Sequence, residues 1–272
     1  MAFQGELGAY SEEALESMWP SGVEPVPFRE CLDVAGAVER GDVDAGLLPI
    51  ENTLAGSVVA SYDALAVSPR LHVTAEVVTP IHHCILAPRG ARLEEIQTVE
   101  SHPVALAQCG RFLRAHPRLR ALAAYDTAGA ARDVAARNDP CAAAIAGRAA
   151  AHRYGLCVIA ADIEDRPDNQ TRFLAIERAP RSLPKGADAR TGLLVTTANV
   201  SGALVRVLTP IAEHGLNMSK LESRPTGEPW RYRFFIEIDH AAGDPAADRA
   251  LADVAQVTES LRVLGTYARS TA

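Results

Sequence analysis

Ala179-Pro180-Arg181-Ser182-Leu183-Pro184-Lys185-Gly186-Ala187-Asp188 is the stretch on which the fold turns, because two prolines, a glycine and scattered charges interrupt the hydrophobic periodicity on both sides of it. It reads as a linker, within residues 179–190, between two different patterns. C-terminal to it the order is strand (Thr191–Thr196), helix (Gly202–His214), strand (Met218–Ser223), strand (Tyr232–Asp239), helix (Pro245–Thr258) and strand (Leu261–Tyr267). That βαββαβ order predicts an α+β, ferredoxin-like unit. Asp244, just before Pro245, is placed to cap the second helix. So small a unit, with one sheet face bare of helices, predicts association with a copy of itself.

N-terminal to the linker, short apolar runs alternate with Ala-rich helical stretches, the pattern of an α/β protein with mostly parallel strands. Strands are expected near Ala2–Gln4, Val23–Phe28, Ala45–Ile50, Leu71–Val78, His82–Leu86, Thr98–Glu100, Ala121–Tyr125, Ala142–Ala146 and Phe173–Ile176. Helices are expected near Glu12–Met18, Glu30–Arg40, Val58–Val67, Val104–Ala115, Ala130–Asn138 and Arg148–Tyr154.

The composition narrows the function. A chain of 272 residues, 48% hydrophobic and 22% charged, folds and suits two domains. Its formal charge of −7 and lack of a long Lys/Arg block argue against nucleic acid as a partner. Cys31, Cys84, Cys109, Cys141 and Cys157 are scattered, odd in number and never C-x-x-C, so neither a disulfide framework nor a thiolate metal site is expected. With no apolar run of membrane-span length and no basic leader segment at Met1, the expectation is a cytoplasmic protein with no membrane partner.

Several polar groups precede helices: Ser11 ahead of Glu12 and Glu13, Asn52-Thr53 and Ser57, Ser101-His102-Pro103, and Asp126-Thr127. In a parallel sheet these caps converge on one edge, where exposed N–H groups favour an anionic ligand. Each taken singly is also an ordinary cap. Glu51-Asn52-Thr53, with Gly56 and Ser57 following, reads either as a polar pocket or as an elaborate turn. Asp165 to Arg172 reads as a polar loop that leaves Thr171 and Arg172 at the mouth of a strand. His82-His83 is not expected to bind metal, because adjacent strand residues face opposite ways and no third ligand is suitably spaced. Gly5-x-x-Gly8 lacks the full dinucleotide fingerprint, no nucleophile elbow or P-loop occurs, and Cys109 reads as a structural residue within a helix.

Taken together, Phe3-Gln4-Gly5-Glu6-Leu7-Gly8-Ala9-Tyr10-Ser11, Leu48-Pro49-Ile50-Glu51-Asn52-Thr53, Ser101-His102-Pro103 with Gln108-Cys109, and Asn169-Gln170-Thr171-Arg172-Phe173 resemble prephenate dehydratase. Gly202-Ala203-Leu204-Val205, Glu222-Ser223-Arg224-Pro225 and Arg262-Val263-Leu264-Gly265-Thr266-Tyr267 resemble that family's ACT regulatory domain, so the likeness covers essentially the whole chain. The resemblance implies a two-lobed, periplasmic-binding-protein-like catalytic domain in residues 1–178 (lobes of roughly 1–78 with 160–178, and 79–159) and an ACT domain in 191–272. It implies a hydro-lyase that converts prephenate to phenylpyruvate for phenylalanine biosynthesis with no cofactor and no metal. A preceding chorismate mutase domain, which some relatives carry, is not expected, since Phe3 already lies in the first motif.

By the same resemblance Thr171 is the essential residue, hydrogen-bonding the leaving hydroxyl, and Glu51, Asn52, Ser101, Gln108 and Arg172 bind or orient substrate. Phenylalanine is the implied allosteric effector, held by Gly202, Ala203, Leu204, Leu216, Asn217, Glu222, Ser223 and Arg224 in a homodimer or homotetramer joined through ACT domains. Arogenate dehydratase is the close alternative, its substrate carrying an amine in place of the keto group. A non-catalytic sensor of small acids or amino acids is the remote one.

Overall fold

Buried aliphatic strands organise residues 1–270, which a computed structural model describes. In chain order the elements begin β1 (Ala2–Gln4), α1 (Tyr10–Met18), β2 (Val26–Phe28), α2 (Cys31–Arg40), β3 (Ala45–Asn52), β4 (Gly56–Ser57), α3 (Val59–Val67) and β5 (His72–Pro80). They continue through β6 (Cys84–Ala87), β7 (Thr98–Ser101), α4 (Pro103–Gln108), α5 (Gly110–Ala115), β8 (Arg120–Ala123), α6 (Thr127–Arg137), β9 (Ala142–Ala146), α7 (Arg148–Tyr154) and β10 (Cys157–Ala160). The remainder are β11 (Gln170–Glu177), β12 (Asp188–Thr196), α8 (Ala203–Glu213), β13 (Asn217–Pro225), β14 (Tyr232–Ala241), α9 (Pro245–Gln256) and β15 (Ser260–Ala268).

These strands form three sheets. The first has the order β2-β1-β3-β11-β5, with β4 folded back on β3; the second has the order β10-β6-β9-β7-β8. Runs such as Ala142–Ala146, buried at every residue, fit strands covered on both faces. In the second sheet β7 runs parallel to β8 and β9, but β6 is antiparallel to both of its neighbours. The mostly parallel expectation fails at β6, which enters this sheet from the first one and runs opposite to both β9 and β10. Asp126 caps α6 by accepting a hydrogen bond from the Gly129 N–H at 2.7 Å, and Asn138 closes the same helix in the left-handed conformation.

The third sheet is antiparallel throughout, in the order β13-β14-β12-β15, with α8 and α9 packed on one side over Leu193, Val195, Val207, Ile211, Ile236, Ile238 and Val254. Each such buried side chain stabilises the fold by roughly 1.5–3 kcal/mol. The ferredoxin-like βαββαβ order is therefore present. Asp244 caps α9 as expected, accepting from the Ala246 N–H at 2.8 Å. β12 begins three residues earlier than expected, because Asp188 and Ala189 already pair with Ala241 and His240.

By its internal contacts the chain comprises two units. One contains Met1–Val34, Leu47–Val58 and Val77–Phe173; the other contains Ala35–Gly46, Val59–Glu76 and the residues from Leu174 onward. Among the described residues no helix is long and apolar enough to cross a membrane.

Candidate active site

β3 ends at Asn52, and the chain turns back at once toward β4. Asn52 Oδ1 accepts hydrogen bonds from the Leu54 and Ala55 N–H groups at 3.0 and 2.9 Å. Two backbone donors on one atom identify it as the amide oxygen, so the other end of the side chain must donate. Asn52 Nδ2 reaches Asn169 Oδ1 at 2.8 Å, the Gln170 carbonyl at 3.0 Å and Thr171 Oγ1 at 3.0 Å. Since Thr171 Oγ1 is an acceptor there, its own proton is free to be donated elsewhere. The buried Asn52 amide thus polarises a buried threonine hydroxyl.

The same logic extends outward. Gln108 Nε2 donates to Asn52 Oδ1 at 3.1 Å, so Gln108 Oε1 is the acceptor for Asn169 Nδ2 at 3.1 Å and for His83 Nε2 at 2.9 Å. His83 Nε2 therefore carries a proton, and its Nδ1 faces the Tyr10 hydroxyl at 2.8 Å. Burial lowers the His83 pKa, against the opposing pull of the Gln108 bond and the Glu164 charge, which favours the neutral ring. Neutral Nδ1 has no proton to give, so the single Tyr10 proton, which is donated to the His82 carbonyl oxygen at 2.8 Å, is shared with Nδ1. Burial, with the Glu13 charge behind it, raises Tyr10 well above the usual tyrosine range.

Contacts distant in sequence position these groups. Thr53 N–H donates to the Gln170 carbonyl at 2.9 Å, and Thr53 Oγ1 accepts from the Gln170 N–H at 3.0 Å. That pairing starts β11 at Gln170, so Thr171 and Arg172 lie within the strand and not at its mouth. Gln108 ends α4 at a break: the expected single helix over Val104–Ala115 is two helices parted at Cys109. The cause is Asp165, whose N–H donates to the Gln108 carbonyl at 2.6 Å while its Oδ1 accepts from the Arg111 N–H at 2.7 Å. Burial first, then the charges of Glu164 and Asp165, push the Cys109 thiol far above its ordinary range, so it is no thiolate nucleophile.

Arg172 and Glu51 sit one residue from Thr171 and Asn52, on the opposite faces of their strands, and approach each other at 3.5 Å. Ser101 stands apart from the network: wholly buried, it donates to the Ile145 carbonyl at 2.6 Å. Ser11 does not cap α1, which begins at Tyr10 after an Ala9 cap with no side-chain bond; the Glu12 carboxylate instead accepts from the Gly8 N–H. His82 precedes β6, and Asp162 and Glu164 bring ligand-type atoms within 4.8 Å of its ring, contrary to the expectation that no third ligand is suitably spaced. Glu164 is already engaged, accepting from His82 Nδ1 at 2.8 Å and the His83 N–H at 2.9 Å. Burial works to raise this carboxyl, but those bonds prevail and hold it below its usual range. His83 and Tyr10 are the residues that sequence reasoning did not select; their signals were the His82-His83 pair and the Gly8-Ala9-Tyr10-Ser11 run.

In the other unit Gly202 stands ahead of α8 with φ of 76°, a conformation that favours glycine, and Ala203 opens the helix buried. Leu204 follows half-buried, and Leu216 packs against the core beneath α8. Asn217 Nδ2 donates to Asp239 at 3.5 Å, and Glu222 and Ser223 lie opposite Phe235 and Phe234. The Arg224 guanidinium is held by Asp63 through bonds of 3.2 and 2.9 Å.

A family model described as prephenate dehydratase matches residues 1–181, and one described as ACT domain matches residues 191–256. The chain is 39% identical over 277 residues to arogenate dehydratase/prephenate dehydratase 2, chloroplastic, of Arabidopsis thaliana, covering 98% of this chain and 72% of that protein. It is 36% identical over 274 residues to the prephenate dehydratase of Amycolatopsis methanolica, covering 99% and 88%. Among solved structures, the prephenate dehydratase of Arthrobacter aurescens in complex with L-Phe superposes with a TM-score of 0.91 at 33% identity, over 98% of this chain and 89% of that one. GqqA, described as a novel type of quorum quenching acylase, superposes at 0.89 with 31% identity, over 99% and 97%.

Proposed function

The chain belongs to the prephenate dehydratase family, and from that premise we propose that the buried cluster around Thr171 converts prephenate to phenylpyruvate. The observation that carries this reading is the Asn52 to Thr171 hydrogen bond, which leaves the threonine proton to be donated. In the reaction the bond from the ring to its carboxylate breaks and releases carbon dioxide. The electron pair enters the ring, and the ring carbon–oxygen bond breaks with its electrons leaving on oxygen, which becomes water on taking a proton. Aromatisation drives the process. A threonine is too weak an acid to give up its proton outright, so Thr171 acts by a hydrogen bond that strengthens as negative charge grows on the departing oxygen. Asn52, Asn169 and Gln108 hold that donor in place, the paired Glu51 and Arg172 orient substrate, and Ser101 supports the wall formed by β7 and β9. No cofactor enters this scheme.

Arogenate is the second substrate to weigh, favoured by the name of the plant relative at 39% identity. We further propose feedback inhibition by phenylalanine at Gly202, Ala203, Leu204, Leu216, Asn217, Glu222, Ser223 and Arg224 in ACT domains that self-associate, supported by the relative described in complex with L-Phe. Differential affinity for a less active state would produce the inhibition. The free thiols of all five cysteines suit the reducing cytoplasm, where we place the enzyme.

The test is phenylpyruvate formation from purified prephenate, with arogenate turnover run in parallel, with and without phenylalanine, for the wild type and Thr171→Val. Turnover of prephenate with the higher kcat/KM, and loss of at least 100-fold in the variant, is the expected result. A variant within about tenfold of wild type, a barrier change of only ~1.4 kcal/mol, would overturn the role of Thr171. No turnover of either acid would leave a binding protein, and no response to phenylalanine would remove the regulatory proposal.

A further inference from the structure

Leu193 and Val195 of β12 pack beneath α8 and α9, so Leu194 and Thr196, which alternate with them, point to the opposite face of the third sheet. Strand register carries that face across the sheet. Thr196 lies opposite Arg233 of β14 and opposite Ser260 of β15, and Arg233 in turn lies opposite Arg224 of β13. Directly opposed residues of an antiparallel pair share a face, so Arg224, Arg233, Thr196 and Ser260 form one row over all four strands. Three of them, Arg233, Thr196 and Ser260, line a cavity of about 440 Å³.

Two arginines opposed on one face repel each other, and these two are answered differently. Asp63 holds Arg224 through bonds of 3.2 and 2.9 Å. Arg233 donates from Nη2 to the Thr226 carbonyl at 2.6 Å, its Nε is buried without a partner, and it has no ion-pair partner among the described residues. The other charges lining the cavity are already engaged. Arg231 holds Glu259 and, at 3.6 Å, Glu228. Arg262 gives Nη1 to the Leu65 carbonyl at 3.0 Å and Nη2 to the Ser68 and Leu71 carbonyls, each at 2.7 Å. Three guanidiniums against two carboxylates leave one positive charge uncompensated, and Arg233 is the one with donors to spare. Thr196 Oγ1 and Ser260 Oγ lie 2.6 Å apart, so one hydroxyl proton bridges them and the second is free for an outside acceptor. A partly buried guanidinium without a counter-charge is costly, and a bound anion would offset that cost.

We propose that this cavity binds a small organic monocarboxylate, with the carboxylate received by the Arg233 guanidinium and the Thr196–Ser260 hydroxyl pair, and the apolar body by Ala66, Pro69, Leu194 and the Tyr232 ring. One uncompensated charge suits one carboxylate, and Glu228 and Glu259 repel a second. An inorganic anion would leave the apolar wall unused. None of the lining residues belongs to the set assigned to phenylalanine above, and the site stands whether or not the Thr171 cluster acts on prephenate.

The experiment is calorimetric titration of the full chain with sodium benzoate, for the wild type, Arg233→Met, the double variant Thr196→Val/Ser260→Ala, and Thr171→Val. Sulfate and benzylamine are titrated into the wild type alongside. The expected result is a millimolar or tighter Kd for benzoate, weakened at least about tenfold in Arg233→Met and about threefold in the double variant but unchanged in Thr171→Val, with sulfate and benzylamine at least about tenfold weaker. The double variant keeps the Arg233 bond to Thr226 and decides the matter if Arg233→Met does not fold. No benzoate binding, or binding equal in wild type, Arg233→Met and the double variant, would overturn the inference. Sulfate or benzylamine binding as tightly as benzoate would overturn the ligand class, and competitive displacement of benzoate by phenylalanine would overturn a separate site. Prephenate turnover without benzoate is expected to agree within about threefold between the double variant and wild type, so failure here and failure of the dehydratase reading are told apart.

Discussion

Replacing Asn52 with aspartate tests the direction of every hydrogen bond in the site with a change of one atom. In Asn52→Asp the oxygen that receives the Leu54, Ala55 and Gln108 donors is kept, so the turn after β3 survives. The other end changes from a donor to an acceptor and faces Asn169 Oδ1, the Gln170 carbonyl and Thr171 Oγ1 at 2.8–3.0 Å. Of those three, only Thr171 has a proton on the atom concerned, so its O–H swings toward the new carboxylate and away from the substrate. Losing one preorganised donor to developing negative charge lowers kcat by roughly 10²–10³, or about 2.7–4 kcal/mol. Each carbonyl left facing the carboxylate costs roughly 1–3 kcal/mol of stability, so turnover must be measured where circular dichroism reports a folded protein. The assay is phenylpyruvate release at saturating prephenate across a pH series. As pH falls the introduced carboxyl gains a proton and becomes a donor again, so the ratio of variant to wild-type kcat is expected to rise. A variant within about tenfold of wild type at pH 8, or a ratio indifferent to pH, would refute the claim that Asn52 aims the Thr171 proton.

Two further outcomes follow from buried charge. Arg190, with its side chain 11% exposed, lies 3.0 Å from Glu76, 2.8 Å from Asp239 and 3.8 Å from Glu237, so Arg190→Met strands three nearly buried carboxylates and should lower unfolding free energy in urea by about 3–5 kcal/mol. Burial alone would raise the Asp239 carboxyl, but the bond from Arg190 holds it below its ordinary value. That stabilisation is present above the unfolded carboxylate range and is lost as pH falls through the folded value, so the gap between variant and wild type should shrink below about pH 4; a gap constant with pH would contradict the assignment. Burial depresses His83, with Glu164, His82 and Tyr10 around it, so the unfolded chain binds a proton first as pH drops through about 6.5. His83 therefore favours folding fully above that value and progressively less below it, and His83→Gln should flatten the decline in urea stability between pH 7 and pH 5.

What the sequence discloses and what it withholds divide by distance along the chain. Asp126 and Asp244 were readable as caps because their bonds reach three residues or fewer. The break at Cys109 was not, because Asp165, which causes it, bonds Arg111 from 54 residues away. β10 is absent from the sequence reading: it is four residues at a sheet edge, and its pairing with β6 shifts register within them. The motif singles out Thr171 but not its place in a strand, since the pairing that starts that strand joins Gln170 to Thr53, 117 residues earlier. His83 was weighed only as half of a histidine pair; alternation separates the two rings, yet the partners that define their roles, Gln108 and Glu164, are 25 and 81 residues on. Orientation nevertheless starts from something local. The Leu54 and Ala55 N–H groups fix which end of Asn52 is oxygen. That choice sets Gln108, Gln108 sets the His83 tautomer, and Asn52 itself frees the Thr171 proton. A turn legible in the sequence therefore dictates the polarity of a network whose members are not, and that explains why Glu51-Asn52-Thr53 could be singled out as either a pocket or a turn: it is a turn whose side chain organises the pocket.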